Sequence, residues 1–149
     1  NNSTWMHFGT NSVIGVSIDP SNNLGCAGSV LSSNATRGIG YAAGAGGSVT
    51  QITDKSTGVT LNKVCGQITM VNSALAAATS VSFTLTNSTI AATDFPKVII
   101  ASGATANSYS VDVDAVAAGS CRIQLRNISA GSLSEALVLT FIVHKAVIA

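Results

Sequence analysis

The sequence has few charged and few aromatic residues: charged side chains make up 9% of its 149 residues and aromatic side chains 5%. Seven Lys and Arg against six Asp and Glu leave a net charge of +1. This balance lacks the basic surplus with which proteins bind nucleic-acid phosphates, so no nucleic-acid partner is expected. With 46% hydrophobic residues and little net charge, the composition also excludes an intrinsically disordered chain.

Long hydrophobic runs are absent as well. The most apolar window, residues 136–143, is interrupted by Thr140 and closed by His144 and Lys145. It is much shorter than the roughly 18 residues of a membrane-spanning helix, so no membrane insertion is expected. The chain begins with Asn1 and carries no basic, apolar leader, which predicts a fragment or processed product of a longer protein.

Cysteine is scarce and unpatterned. Cys26, Cys65 and Cys121 are odd in number and widely spaced, which favours neither a disulfide framework nor a Cys-x-x-Cys metal site. We expect three free thiols, with Cys121 on a buried strand, and neither a metal nor a cofactor.

Helical periodicity is missing, whereas period-two alternation recurs along the chain. Apolar and polar residues alternate over residues 81–86, 109–115 and 121–126, as in half-buried strands. Glycines between the apolar segments mark turns. The sequence predicts an all-β fold, an antiparallel β-sandwich of about seven to eight strands.

Two segments, residues 97–101 and 136–143, are apolar on both faces. Strands of this kind are central in a sheet or covered by another subunit. We therefore predict a core or a trimer interface at four positions: Ile99, Leu137, Leu139 and Phe141.

One hairpin can be predicted to the residue. If Asp112 and Asp114 share a face with Arg122, the loop must have an odd length, and residues 117–119 supply three residues ending in Gly119. This register places Asp114 opposite Arg122 as a cross-strand charge pair and predicts a positive φ at Gly119.

A glycine-rich stretch divides the chain. Residues 38–47 hold five of the 14 glycines, which is typical of a linker. Residues 1–37 then form the end of a preceding β domain or shaft, with short strands near residues 5–8 and 13–18. Residues 48–149 form the C-terminal sandwich.

Catalytic chemistry has little support. The two histidines, His7 and His144, lie at opposite ends of the chain, which argues against a nucleophile–base pair. Asp112 and Asp114, roughly 7 Å apart on one strand face, have the spacing of a carboxylate pair for hydrolysis or of a divalent-ion site. The ion pair with Arg122 is the simpler interpretation, so no catalytic residue and no metal ligand are assigned.

Exposed aromatic side chains are the candidates for glycan contact, because a flat ring packs against the C–H face of a sugar. Trp5 and Tyr41 are candidates for this role, whereas Tyr109 shares a face with valines and is predicted to pack inside. Asn-x-Ser/Thr sequons include those at Asn2, Asn34, Asn87 and Asn127, and a chain rich in these residues produces them by chance.

Several phrases of the sequence resemble a C-terminal module of bacteriophage and prophage tail fibres and tailspikes. They are residues 46–51 (GGSVTQ), 55–63 (KSTGVTLNK), 66–70 (GQITM), 80–88 (SVSFTLTNS) and 131–136 (GSLSEA). The resemblance covers roughly the last hundred residues. It implies a homotrimeric β domain of a virion tail that trimerises and stabilises the fibre, contacts bacterial surface polysaccharide, or both.

Three functions stay open at this point. The leading one is a non-enzymatic trimerisation and host-recognition domain of a tailspike or tail fibre, with any depolymerase activity upstream. The second is a fragment of a polysaccharide depolymerase with an active site between subunits, for which Asp112 and Asp114 are the candidates. The third is a monomeric carbohydrate-binding or adhesin domain.

Overall fold

The structure, a computed structural model, describes residues 6–10, 13–26, 30, 35–36 and 38–148. The chain divides into two compact units, Asn1–Gly40 and Tyr41–Ala149. The described residues form strands, turns and loops without a helix, so the all-β prediction is confirmed.

The strands are short, in keeping with a sequence in which apolar alternation rarely continues for more than eight residues. They are β1 (Met6–Thr10), β2 (Val13–Ile18), β3 (Leu24–Cys26), β4 (Ser48–Thr50), β5 (Val59–Thr60), β6 (Cys65–Thr69), β7 (Ala74–Leu75), β8 (Ser80–Thr86), β9 (Phe95–Ser102), β10 (Tyr109–Ala117), β11 (Ser120–Asn127), β12 (Leu133–Ser134) and β13 (Val138–His144).

The first unit contains an antiparallel meander of β1, β2 and β3. The turn between β2 and β3 is organised by Asp19, whose Oδ1 accepts hydrogen bonds from the backbone N–H groups of Ser21 (2.9 Å) and Asn23 (2.8 Å). Asn22 adopts a φ of 63°, a left-handed conformation that Asn tolerates. β1 and β2 lie where the sequence predicts short strands, near residues 5–8 and 13–18.

The second unit contains two four-stranded sheets. Sheet 1 has the order β4-β6-β13-β9 and sheet 2 the order β10-β11-β8-β5; β7 and β12 form a separate two-stranded ladder. Most pairs are antiparallel, but β4 pairs with β6 and β5 with β8 in parallel. The edge strands of the two sheets contact each other, β9 with β10 and β4 with β5.

The hydrophobic core of the second unit takes side chains from both sheets. In β8, β11 and β13 every second residue turns inward, and the apolar side chains at these positions are removed from water. These side chains form one cluster, which includes Phe83, Leu85, Ile123 and Leu125 of sheet 2 and Ile68, Leu139, Phe141 and Val143 of sheet 1.

The β10–β11 hairpin has the predicted register and a different loop. Asp114 lies opposite Arg122, and Gly119 has a φ of 82°. The predicted three-residue loop is wrong: β10 continues to Ala117, and the turn contains only Ala118 and Gly119. A bulge between Asp114 and Ala117 supplies the extra residue and returns each side chain to the predicted face.

Part of the segment predicted as a linker belongs to the second unit, which begins at Tyr41. The carbonyl of Gly47 accepts a hydrogen bond from the backbone N–H of Gln67 (2.9 Å), and that of Gly44 accepts one from Lys63 Nζ (3.0 Å). The close approach of these two backbone segments requires a glycine at position 66, where a Cβ atom would lie 2.6 Å from the Gly47 oxygen.

Candidate functional site

The outer face of sheet 2 is polar. The outward side chains of its three longer strands are Ser82, Thr84 and Thr86 of β8, Arg122, Gln124 and Arg126 of β11, and Asp112 and Asp114 of β10. Hydroxyl, amide and charged groups in this arrangement are readily solvated, so the face needs no cover.

Asp114 and Arg122 form a two-pronged ion pair on this polar face. Arg122 Nε donates to Asp114 Oδ1 at 2.7 Å and Nη2 donates to Oδ2 at 2.8 Å. The hydrogen bonds from Arg122 hold the pKa of the Asp114 carboxyl below its usual value. Asp114 therefore stays ionised at neutral pH, with both oxygens engaged, which is unsuitable for a general acid.

The other two candidate catalytic residues with described side chains, Asp112 and His144, lie in different sheets. Asp112 is exposed opposite Gln124, and His144 is exposed at the end of β13. Within the described ranges, no three His, Cys, Asp or Glu side chains are grouped so that they could hold a metal ion. The side chain of His7 lies outside the described part of the structure.

The outer face of sheet 1 differs sharply, because it carries large apolar side chains. Its outward residues are Cys65, Gln67 and Thr69 of β6, Val138, Thr140, Ile142 and His144 of β13, and Phe95, Lys97 and Ile99 of β9. Strand pairing aligns Cys65, Ile142 and Lys97 in one row and Gln67, Thr140 and Ile99 in the next. Phe95 and Ile99 are more than half exposed.

A groove of about 400 Å³ lies on this face. Its walls are Tyr41, Cys65, Lys97, Ile99, Thr140, Phe141 and Ile142. The hydroxyl of Tyr41 donates to the backbone oxygen of Val143 at 3.0 Å, which fixes the ring beside β13. Tyr41, predicted to contact glycan, is thus a wall of a mainly apolar groove.

The four positions predicted as core or trimer interface fall into two environments. Leu137, Leu139 and Phe141 are buried inside the core cluster. Ile99 points the other way: it is 51% exposed and lines the groove. Trp5, the other glycan candidate, lies outside the described residues.

The segment after β13 is fixed against the loop that precedes β9. Lys145 Nζ forms an ion pair with Asp94 Oδ2 at 2.6 Å and also donates to the backbone oxygen of Thr89. Thr93 Oγ1 donates to the backbone oxygen of Ala146 at 3.0 Å. A hydrogen bond from the Ala91 N–H, together with Lys145, holds the pKa of Asp94 below its usual value.

A buried lysine, which the sequence analysis did not single out, fastens two chain segments together. Lys55 is 3% exposed, and its Nζ donates to the backbone oxygens of Val71 (2.7 Å) and Glu135 (2.6 Å). Burial lowers the pKa of the Lys55 ammonium, and the Glu135 carboxylate opposes that shift. No local sequence signal marks this position, because the contacts come from residues distant in the chain.

Glu135 also acts at the start of the segment that leads into β10. Its Oε1 accepts hydrogen bonds from the backbone N–H (3.0 Å) and Oγ1 (2.6 Å) of Thr105. The phenol of Tyr109 packs against the core, where burial and the nearby Glu135 carboxylate raise its pKa to about 12. Tyr109 therefore stays neutral near pH 7.

The side chains of two sequon asparagines, Asn87 and Asn127, form hydrogen bonds that hold backbone turns. Asn127 Oδ1 accepts from the N–H (2.9 Å) and Oγ (2.7 Å) of Ser129, and its Nδ2 donates to the carbonyls of Leu75 and Gly131. Asn87 makes the same turn with Thr89. Both asparagines are 0% exposed, so their side-chain nitrogens are inaccessible to modification in the folded chain.

The cysteines are free thiols. Cys121 is 1% exposed on β11, as the sequence predicted, and burial raises its pKa to about 11. Cys65 is partly exposed in the groove of sheet 1. A thiol with a raised pKa is a poor nucleophile at neutral pH, so Cys121 packs as a small apolar side chain.

No protein-family model, no curated protein and no solved structure matches the chain. None of the described residues forms a helix of the length and hydrophobicity that crossing a bilayer takes.

Proposed function

We propose that the chain is the non-catalytic C-terminal trimerisation domain of a phage tailspike or tail fibre, with its two sheets packed as a β-sandwich. The protein then acts on the virion tail, where three copies stabilise the end of the fibre. The phage context and the number three rest on the resemblance of residues 46–136 to such modules.

The contrast between the two outer faces carries the proposal. Both faces belong to the same second unit, yet sheet 2 presents hydroxyl, amide and paired charged groups, while sheet 1 presents Phe95, Ile99 and Ile142. Large exposed apolar side chains grouped on one face of an otherwise polar surface are typical of a protein interface. Covering that face with identical copies removes it from water at about 25 cal/mol per Å² of apolar area.

The mass of the protein in solution tests the proposal. Light scattering at micromolar concentration is expected to give three times the 14.9 kDa of the chain. Ile99→Asp places a charge on the outer face of sheet 1 and is expected to yield folded monomers. Ile52→Asp is the matched control, because Ile52 is 86% exposed on a loop and its substitution leaves the trimer intact.

A wild-type monomer of 14.9 kDa would contradict the proposal and favour the monomeric adhesin. Circular dichroism of both variants separates dissociation from unfolding. If Ile99→Asp remains trimeric, the copies meet elsewhere and the argument from the two faces is wrong.

Glycan recognition is a second candidate function, favoured by the polar face of sheet 2. Thr84, Gln124 and Arg126 stay exposed there when sheet 1 is covered, and their hydroxyl, amide and guanidinium groups suit hydrogen bonds to polysaccharide. A glycan array with the wild type and with the Gln124→Ala/Arg126→Ala double variant tests this. We expect the variant to lose signal on every glycan that the wild type binds; an unchanged pattern would assign binding to another surface.

The depolymerase alternative has a direct test at the carboxylate pair. Arg122 already engages both oxygens of Asp114, so the non-enzymatic proposal expects no release of reducing ends from bacterial polysaccharide by the wild-type trimer. Cleavage that disappears in the Asp112→Asn/Asp114→Asn double variant would overturn that proposal in favour of an inter-subunit active site.

A further inference from the structure

Two apolar residues beyond β13 are fully uncovered in the single chain. Val147 is 97% exposed and Ile148 is 79% exposed. The two residues before them are held in place, since Lys145 pairs with Asp94 and Ala146 accepts a hydrogen bond from Thr93. The direction of the segment is therefore set while its apolar side chains have nothing to pack against.

The groove on the outer face of sheet 1 has the complementary properties. Its volume of about 400 Å³ lies within the range of sites that enclose small ligands or a few side chains. Ile99, Ile142 and the ring of Tyr41 give it apolar walls. An occupant that offers aliphatic side chains fits this lining better than a sugar, whose hydroxyls would lose hydrogen bonds to water.

The segment is anchored away from the groove of its own chain. The groove lies beside Thr140 and Ile142, whereas Ala146 is held beyond the end of β13. To reach Ile142, the nearest groove residue of β13, the segment would have to turn back over four steps of about 3.3 Å, roughly 13 Å. Residues 147 and 148 extend at most about 7 Å. A second copy can bring these side chains to the groove without such a reversal.

We propose that each copy inserts Val147 and Ile148 into the sheet-1 groove of the next copy. This inference rests on the proposed trimer and names the contact that builds it. Each copy then gives one segment and receives one, which is a heterologous contact that closes into a ring when the rotation between copies is threefold. Tyr41 and Ile99 become the receiving residues, and Ile148 the anchor.

Two single variants and their mixture test the contact, with Ile52→Asp as the exposed control. Ile148→Asp places a charge in the inserted segment, and Ile99→Asp places one in the groove. Each variant alone should self-associate at least about thirtyfold more weakly than the wild type, as when an interface anchor is removed. An equimolar mixture should form a one-to-one dimer by light scattering, since the intact segment of one variant can enter the intact groove of the other.

The outcomes separate this inference from the proposed function. A trimer that survives Ile148→Asp, or a mixture that stays as two monomers, overturns the segment-in-groove contact and leaves the trimer in place. A wild type that is monomeric overturns both. Circular dichroism of each variant, compared with the wild type, shows that the subunit has kept its fold.

Discussion

Replacement of Lys55 by methionine tests how far a single buried ammonium holds the second unit together. Methionine keeps much of the side-chain volume and removes two short hydrogen bonds, to the backbone oxygens of Val71 (2.7 Å) and Glu135 (2.6 Å). The Glu135 carbonyl loses its partner at a cost of about 1–3 kcal/mol, whereas the Val71 carbonyl still accepts a hydrogen bond from the Ser73 N–H (2.9 Å). Release from the cost of burying a charge offsets part of the loss. We expect Lys55→Met to lower the free energy of unfolding by about 1–3 kcal/mol.

The assay is urea unfolding followed by circular dichroism at one fixed protein concentration, because association shifts the apparent stability. The expected loss lowers the thermal midpoint by about 4–12 °C in a domain of this size. Lys63→Met is the matched control: Lys63 donates one exposed hydrogen bond to Gly44, and its loss should change stability by less than about 1 kcal/mol.

The midpoints of the two variants decide the matter. If Lys55→Met unfolds at the same urea concentration as Lys63→Met, with an unchanged slope, the two buried bonds do not stabilise the fold and the reasoning about Lys55 fails.

Three further predictions concern the backbone, a turn and acid stability. Gly103 and Gly119 both have positive φ, but only at Gly103 would a Cβ atom collide, 2.5 Å from a carbonyl oxygen. Gly103→Ala should therefore destabilise the fold by several times the roughly 1 kcal/mol expected for Gly119→Ala. The thermal unfolding midpoints of the two variants measure this difference. Asn127→Ala removes four hydrogen bonds and should cost about 2–4 kcal/mol in urea unfolding, against less than about 0.5 kcal/mol for Arg126→Ala beside it. The pKa of Asp94 is lower in the folded protein than in the unfolded chain, where it is about 3.9. The ionised carboxylate therefore stabilises the fold above that pH, and this stabilisation is lost as the pH falls through the folded-state pKa. An acid titration of Asp94→Asn should show lower stability than the wild type at pH 7 and a flatter decline below about pH 4.

The strands of the second unit that pack on one side could be predicted from alternation alone. In β8 and β11 every second residue is apolar, and burial of those residues fixes which face turns inward. The same rule gave the pairing of Asp114 with Arg122, since a slip of one residue would have turned Ile123 to solvent. Alternation could not predict the bulge between Asp114 and Ala117, because a short turn with a bulge and a longer loop without one place the strand side chains on the same faces.

The candidate site was beyond the reach of sequence patterns for a different reason. Residues 97–101 and 136–143 are apolar on both faces, so alternation cannot tell the core side from the outer side. The structure resolves this by placing Leu139 in the core and Ile99 on the outer face. Tyr41 was expected in a linker, and only its hydrogen bond to Val143, far along the chain, brings it to the groove.

The sequence by itself determined the class of fold, the register of one hairpin and the small number of charged residues on the surface. These depend on residues close together in the chain, whose preferences act locally. Tertiary structure alone decided which apolar residues are covered and that Lys55 is buried. It also decided that the outer face of sheet 1 has an uncovered groove and that residues 147 and 148, which follow β13, are exposed. Those properties depend on which distant segments meet, and burial is a property of the assembled surface rather than of any residue.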